Sequence, residues 1–369
     1  MDINEYGLYN KDKLVATFDE YISNLITYDR LPYGFNRIGT WVERRYKFSC
    51  VRDPRTFLMS IGINSPLDFI DMIHGVSLHD TYWLKRLNDN TKWEDISPYT
   101  HEFSEAVSTY ALDGIQRLSS TKNYYSPVME TNGSFPHTWL KKNNEIYFVK
   151  AGSKYKMPAS NSGMEPYSEY YASLIARYLG FNAVDYTLRN HKRYDGKIDV
   201  VTECKIYTDE ITGTIPAKEL GLETYEDVIS YCKKLSEDSY KTIIDMLFLD
   251  CLLMNVDRHF RNIEFFVNNE TQEVLGLVPI FDNNNSMLPR FVEGYDSLIN
   301  LDREVYKVRD GRTFEELYTL VNKHKNYRNE LLKLKNLYLE KPKNVEITDA
   351  RIKFLNDFLQ MQVEYLLKN

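Results

Sequence analysis

The segment NVDRHFRNIEFF, residues 255–266, places charged and amide side chains between two apolar stretches. Within it, Asp257 and Asn262 are five residues apart. The same spacing separates the catalytic Asp and the metal-binding Asn of the H-R-D-x-x-x-x-N loop used in phosphoryl transfer. It lets a carboxylate meet an attacking hydroxyl while an amide oxygen reaches a metal ion. A D-x-x-x-x-N match alone is common by chance, so the alternative is an ordinary polar turn.

A second carboxylate, Asp282, follows the apolar run VLGLVPIF and lies 20 residues after Asn262. If that run is a strand returning to the loop in a hairpin, Asp282 comes to lie beside Asn262. Carboxylate and amide oxygens, completed by water and phosphate, suit Mg²⁺ or Mn²⁺. We therefore predict Asn262 and Asp282 as metal ligands. The alternative for the segment DNNN is a plain turn.

Phosphates also need a cation, and Lys150 ends the strand-like segment IYFVK. Glu169 lies 19 residues later on a predicted helix, where it can hold the lysine by an ion pair. Each residue has a simpler interpretation. A lysine at a strand end is usually solvated, and Glu169 could serve only the dipole of its helix.

Four weaker candidates are predicted from position. Glu203 ends the strand-like segment DVVTE, and Lys205 lies two residues beyond it. At this place the backbone groups of a hinge would meet a nucleobase. Gly133 and Ser134 precede the first strands of this part and are candidates for a phosphate-covering loop, although GxGxxG is absent. The sequence also lacks HExxH, CxxC, GxSxG and GxxxxGK[ST], which argues against zinc, acyl-transfer and P-loop sites.

The elements that must position these residues are predicted to form an α+β fold. Residues 1–125 are predicted to be mostly helical, with SPLDFIDMIHGVSLHD and EFSEAVSTYALDGI as helices. Residues 126–208 are predicted to form a small lobe of strands with one helix. The strands are Thr138–Leu140, EIYFVKAG, AVDYTLRN and KIDVVTECKIY, and the helix is EPYSEYYASLIARYLG.

Residues 209–369 are predicted to form a helical lobe that carries the polar loop. The segment SYKTIIDMLFLDCLLMNV is apolar nearly all round, which is typical of a helix buried inside a lobe. A hairpin is predicted in NIEFFVNNETQEVLGLVPIFD, and helices in TYEDVISYCKKL and in the Leu-rich tail from about Thr313. Polar residues would then meet where a sheet lobe joins a helical lobe.

Composition is that of an ordinary globular protein. Of 369 residues, 43% are hydrophobic and 27% charged, and the net charge of −7 argues against a general nucleic-acid binder. The four cysteines are scattered, and the N-terminal segment lacks the pattern of a signal peptide, so a cytoplasmic protein is expected. No apolar run is long enough to span a membrane.

With these parts in order, the sequence resembles the HipA-type serine/threonine kinases over roughly residues 70–310. The motifs that carry the resemblance are NVDRHFRNIEFF and EVLGLVPIFDNNNSM, preceded by IYFVK, EPYSEYYASLIARYLG and VVTE. The resemblance implies a two-lobed protein-kinase-like fold. It implies Lys150 on the phosphates of ATP, Asp257 as catalytic base, Asn262 and Asp282 on Mg²⁺, and adenine at the hinge near Glu203 and Lys205.

The resemblance further implies a protein substrate with a Ser or Thr acceptor, and an antitoxin-like partner. It also implies autophosphorylation in the phosphate-covering loop, with Ser134 or Thr131 as the acceptor. The sequence departs from protein kinases in lacking the usual HRD, DFG and APE forms. The form D-R-H-x-x-N also resembles the loop of phosphatidylinositol kinases, in which the residue at His259 assists catalysis. In the HipA-like interpretation His259 instead braces the loop.

Three functions therefore remain open at this point. The first is an ATP- and Mg²⁺-dependent serine/threonine protein kinase. The second is a phosphoinositide or small-molecule kinase that uses the same site. The third is a nucleotide-binding pseudokinase or a toxin-like regulator that acts through a partner protein.

Overall fold

The computed structural model describes residues 5–46, 54–114, 124–127, 135–153, 163–292, 298 and 301–368. Within these ranges the chain forms three antiparallel sheets and a set of helices, so the predicted α+β class is confirmed. Each sheet belongs to a different part of the chain. In the described part of the chain, no helix is long and apolar enough to cross a membrane.

The N-terminal region contains a four-stranded sheet that the prediction of a mostly helical region did not include. The strands have the spatial order β3-β2-β1-β4, and the first and third of four helices, Ile38–Tyr46 and Pro66–Ile73, share the hydrophobic core of this sheet. Residues 15–18 in the second strand are all buried, so the segment lacks the alternation that marks a half-buried strand. The elements are β1 (Glu5–Asn10), β2 (Lys13–Asp19), β3 (Leu25–Thr27), α1 (Ile38–Tyr46), α2 (Pro54–Ser60), α3 (Pro66–Ile73), β4 (Tyr82–Arg86) and α4 (Glu105–Asp113).

The sheet lobe follows the prediction closely. Its strands have the order β5-β6-β8-β7, and two helices pack on this sheet, namely its own helix Glu165–Tyr178 and α4 of the N-terminal region. β-Branched and aromatic residues favour the strand EIYFVKA, which pairs with both neighbours. The elements are β5 (His137–Lys142), β6 (Glu145–Ala151), α5 (Glu165–Tyr178), β7 (Thr187–Lys192) and β8 (Ile198–Lys205).

The helical lobe carries a small sheet of order β11-β10-β9. The hairpin of its last two strands was predicted, whereas the strand TGTIP was not. The elements are β9 (Thr212–Pro216), α6 (Tyr225–Leu235), α7 (Glu237–Leu253), β10 (Glu264–Asn268), β11 (Val274–Leu277), α8 (Phe314–Asn322), α9 (Arg328–Leu334) and α10 (Asp349–Lys368).

Helix α7 is the centre of this lobe. Ser236 caps its first turn by accepting from the backbone N–H of Ser239, and its apolar residues lie in the largest core cluster. The two aspartates that interrupt its apolar sequence, Asp245 and Asp250, are both fully buried. Because buried carboxylates need partners, each of them must be held by a group from elsewhere in the chain.

The N-terminal region and the sheet lobe share one hydrophobic core. Phe57, Val107 and Tyr110 of the first pack in one cluster with Trp139 and Ile146 of the second. The region also reaches the connection between the two lobes, residues 206–211, because the Thr208 hydroxyl donates to the Leu78 carbonyl at 2.8 Å. The region is thus packed against the hinge of the molecule.

Candidate active site

A cleft of about 450 Å³ lies between the sheet lobe and the helical lobe. That volume is within the range of small-ligand sites. Its walls combine aromatic and apolar residues with convergent charged and amide side chains. The polar residues that line it are His79, His137, Lys150, Glu169, Lys205, Asp257, His259, Arg261, Asn262, Glu264, Asp282 and Asn284.

The polar loop begins where α7 stops at Met254, which adopts a left-handed conformation with φ of 51°. Inside the loop, the Asn262 backbone N–H donates to the His259 carbonyl at 2.7 Å. The Asn262 side-chain amide donates to the Asp257 carbonyl at 3.1 Å, which leaves its amide oxygen available as a ligand. The structure therefore brings Asp257 and Asn262 to the same cleft in a fixed loop.

Arg258, to which the sequence assigned no role, connects this loop to its surroundings. Its guanidinium is fully buried and pairs with Asp250 of α7 through Nε to Oδ2 at 2.8 Å and Nη2 to Oδ1 at 3.1 Å. Nη1 donates to the carbonyls of Asn262 and Phe281, each at 2.8 Å, and Nη2 donates to Asn283 at 3.2 Å. One side chain thus fixes both the polar loop and the segment that carries Asp282.

Lys150 lies among carboxylates at the base of the sheet lobe. Its ammonium contacts Asp282 directly and lies 3.5 Å from Glu169, whose other oxygen accepts from the Thr202 hydroxyl at 3.0 Å. Burial alone would lower the pKa of Lys150, but the charges of Asp282 and Glu169 raise it above its ordinary value. The lysine is therefore held as a cation.

The two carboxylates around Lys150 differ in the direction of their pKa shifts. Burial raises the pKa of Glu169, and the charge of Lys150 only partly opposes this shift. Burial would also raise the pKa of Asp282, but its ion pair with Lys150 lowers the pKa below the ordinary value. The ion pair with Lys150 thus favours the ionised form of Asp282, which is the form that binds a metal ion.

Asn262 and Asp282 both line the cleft and both offer oxygen atoms. No group of three or more His, Cys, Asp or Glu side chains that could hold a metal occurs among the residues described. This donor set fits a hard cation such as Mg²⁺, which commonly takes one or two protein oxygens and completes its shell with water and phosphate.

The His259 ring lines the cleft and is half-buried. Its Nδ1 is buried without a hydrogen-bond partner in the described part of the chain. Burial lowers the pKa of His259, although the charges of Asp257 and Asp282 oppose the shift. The loop is held by hydrogen bonds from Arg258, from the side chains of Tyr225 and Asn255, and from backbone groups.

The hinge residues need a correction. Glu203 does not line the cleft, because it lies on the opposite face of β8 from Thr202 and Cys204, and it pairs there with Lys142 and Arg189. Lys205 does line the cleft, and its ammonium pairs with Glu145. The backbone that joins the lobes comes later, from Ile206 onward. Gly133, Ser134 and Thr131 lie outside the described residues.

Two further residues of the cleft were missed by sequence reasoning. Glu264, on β10, is 9% exposed, and burial raises its pKa. His79 comes from the N-terminal region and bonds Thr214 through Nδ1 at 2.9 Å. The position of Glu264 inside the apolar segment NIEFF could have marked it in the sequence as a buried acid. Nothing near His79 in the sequence indicates that it reaches this cleft.

Comparison with known proteins adds evidence about the fold. Neither a protein-family model nor a curated protein matches the sequence. One solved structure that matches is HipA of the Shewanella oneidensis MR-1 toxin–antitoxin system, in complex with HipB and operator DNA. The match has a TM-score of 0.52 and 10% identity, and it covers 98% of this chain and 96% of that chain. The Helicobacter pylori proinflammatory kinase CtkA matches with a TM-score of 0.46 and 18% identity. This match covers 64% of this chain and 92% of the CtkA chain. The chain thus has the HipA-like kinase fold that its motifs predict.

Proposed function

We propose that this protein is an ATP- and Mg²⁺-dependent kinase that transfers a phosphoryl group to a Ser or Thr hydroxyl of a protein. The observation that carries the proposal is the convergence in one cleft of Lys150, Asp257, Asn262 and Asp282. Phosphoryl transfer depends mainly on positioning and charge stabilisation, and these four residues provide both.

Each residue has a distinct task in this proposal. Lys150, oriented by Glu169, holds the phosphates of ATP once its ammonium moves from Asp282 toward them. Asn262 and Asp282 hold Mg²⁺, which neutralises charge that develops on the phosphate oxygens. A cation placed between Asp282 and the phosphates would replace the charge that Lys150 now supplies to that carboxylate.

Asp257 is the residue for the acceptor hydroxyl. Its Oδ2 accepts from the Asn285 amide at 3.2 Å, which orients the carboxylate, and its side chain is still one-third exposed to the cleft. The exposed guanidinium of Arg309 lies 4.0 Å from Oδ1. Asp257 would orient the hydroxyl and accept its proton late in the transfer, so its position matters more than its basicity.

The protein acceptor, the antitoxin-like partner and the cytoplasmic location belong to this proposal. The solved HipA structure contains HipB and operator DNA, and the HipA-like fold spans nearly this whole chain. Autophosphorylation of Ser134 or Thr131 is proposed from the family resemblance alone. Mass spectrometry after incubation with Mg²⁺-ATP is expected to find phosphate at one of these positions.

A second candidate function is a phosphoinositide or small-molecule kinase. The observation that favours it is the His259 ring, which lines the cleft. In this alternative the ring would contact the acceptor. The identity of the phosphorylated product separates the two candidates.

The decisive experiment is phosphate transfer from γ-labelled Mg²⁺-ATP, with protein and phosphoinositide acceptors tested side by side. Asp257→Asn and Asp282→Asn are each expected to reduce transfer by at least about 10²-fold. The exposed Asp238→Asn on α7 is the matched control. Full activity in either site variant contradicts the assigned roles. A wild-type chain that binds ATP without transferring phosphate to any acceptor, itself included, supports the pseudokinase alternative.

A further inference from the structure

Glu264 is a buried acid whose hydrogen bonding is incomplete. It begins β10, two residues after Asn262, and it lines the cleft. Its Oε2 is shielded from solvent and has no hydrogen-bond partner within the described ranges. Leaving a buried polar atom unpaired is costly, so a partner supplied by a ligand would be favourable.

The distance from Lys150 to the hinge follows from the pairing of β6 with β8. Lys150 pairs with Thr202, whereas Ile206 donates from its backbone N–H to Ile146, four residues before Lys150. At about 3.3 Å per residue, the start of the hinge lies roughly 13 Å from Lys150 along β6. A nucleotide whose phosphates contact Lys150 therefore extends its base toward the hinge.

Glu264 belongs to the hinge end of the cleft. Tyr207 of the hinge packs edge-on against Phe266 of the same strand, with ring centroids 5.9 Å apart. Glu264 is also close enough to Tyr207 to help raise the pKa of that phenol, which burial raises most. The base of a bound nucleotide and the Glu264 carboxyl thus occupy the same end of the cleft.

The neighbours of Glu264 orient it. Thr214, on the adjacent strand, bonds the His79 ring through its hydroxyl and donates its backbone N–H to the His79 carbonyl at 2.8 Å. Thr214 and His79 both interact with the Glu264 carboxyl. The N-terminal region thereby fixes one side of this carboxyl in the wall of the cleft.

We propose that Glu264 selects the nucleobase by accepting a hydrogen bond from the exocyclic 6-amino group of adenine. This inference rests on the proposed ATP-dependent function. When ionised, the Glu264 carboxylate only accepts hydrogen bonds, so it satisfies the amino group of adenine. A 6-oxo purine instead presents a second acceptor at that place, and neither oxygen then has a donor. A site built to bond a particular group rejects analogues that lack it.

The experiment is calorimetric binding of Mg²⁺-ATP and Mg²⁺-ITP, which differ at position 6 of the purine. The wild-type chain is expected to bind ATP about tenfold or more tightly than ITP. In the isosteric variant Glu264→Gln, the side-chain amide can donate to the 6-oxo group, so the preference is expected to shrink several-fold or reverse. Glu273→Gln, an exposed site on the same hairpin, is the matched control and should keep the wild-type preference.

The outcomes separate this inference from the proposed function. Equal affinity of the wild-type chain for ATP and ITP overturns the role of Glu264 and leaves ATP binding standing. Binding of neither nucleotide overturns both proposals. An unchanged preference in a folded Glu264→Gln protein, checked by thermal unfolding, assigns the selection to other groups. The wild-type comparison needs no variant, so the inference stays testable even if Glu264→Gln does not fold.

Discussion

Arg258 and Asp250 form a two-bonded ion pair in which both side chains are fully excluded from solvent. Asp250 also accepts from the Asn255 amide at 2.9 Å, so the aspartate of α7 holds the polar loop at two points. Bidentate pairing fixes direction as well as distance. The candidate site is thus attached to the most buried helix of its lobe through this pair.

Removing one member of the pair is expected to damage both stability and activity. Arg258→Gln leaves Asp250 buried without its cation, which costs about 3–5 kcal/mol of unfolding free energy. The loop also loses its bonds to Asn262 and Phe281, so kcat should fall more than ATP affinity. Denaturant unfolding and steady-state kinetics measure the two effects.

Arg258→Lys should be intermediate, because the charge remains while the planar fork is lost. The exposed Arg290→Gln serves as the control. If Arg258→Gln unfolded like the wild-type protein, the pair would be irrelevant to the loop.

Lys150→Met is expected to weaken ATP binding by about tenfold or more, because the phosphates lose their buried cation. The substitution also leaves Asp282 without the ammonium that it contacts. Isothermal titration with Mg²⁺-ATP measures the loss. The surface variant Lys192→Met should bind normally, and an equal affinity in both variants would show that the phosphates lie elsewhere.

His259→Ala is expected to reduce kcat without lowering the unfolding temperature. The reason is that the Arg258 side chain makes five hydrogen bonds to the loop and its surroundings, whereas the His259 Nδ1 has no partner in the described part of the chain. Kinetics and thermal unfolding of the same preparations check this. A clear loss of stability with unchanged kcat would restore the bracing role.

Tyr327→Phe is expected to affect stability alone. The Tyr327 hydroxyl donates to the buried Asp245 of α7 at 2.6 Å, and its ring stacks on Phe248 with centroids 3.8 Å apart. Loss of the hydroxyl should cost about 1–3 kcal/mol because it removes a hydrogen bond from a fully buried carboxyl group. Since the ring contact is kept, kinetic constants should not change, and a fall in kcat would link this contact to the site.

His74 predicts a pH dependence of stability. Burial lowers its pKa in the folded chain, and its Nδ1 bonds the Leu84 carbonyl at 3.0 Å. The unfolded chain, with a histidine pKa of about 6.5, therefore binds a proton more readily. Stability should fall as pH drops below about 6.5 and be unaffected above it. His74→Gln should flatten this slope in urea unfolding between about pH 5 and 7, and an unchanged slope would exclude His74.

The predictions from sequence succeeded where a local pattern was strong. The strand EIYFVKA, the apolar helix α7 and the hairpin after the polar loop all lie where periodicity and composition place them. The strand β9 and the N-terminal sheet were missed, because their burial depends on contacts with distant segments rather than on alternation.

In the candidate site, too, local patterns could be recognised from the sequence, whereas contacts made by the fold could not. The spacing of Asp257, Asn262 and Asp282 could be recognised from the chain, whereas the partner of Arg258 could not. Asp250 lies eight residues earlier, inside a helix, and only the fold brings the two side chains together. His79 reaches the cleft from more than 130 residues before Thr214, a distance at which sequence patterns carry no information.

The shared core of the N-terminal region and the sheet lobe limits how the chain can be shortened. A polypeptide that began at the predicted boundary, residue 126, would lose Phe57, Val107 and Tyr110 as neighbours of Trp139 and Ile146. Large aromatic surface would then face water beside the strand that carries Lys150. Such a fragment is expected to aggregate on expression. The part of the chain with the kinase-like motifs is therefore dependent, for its solubility, on the residues that precede it.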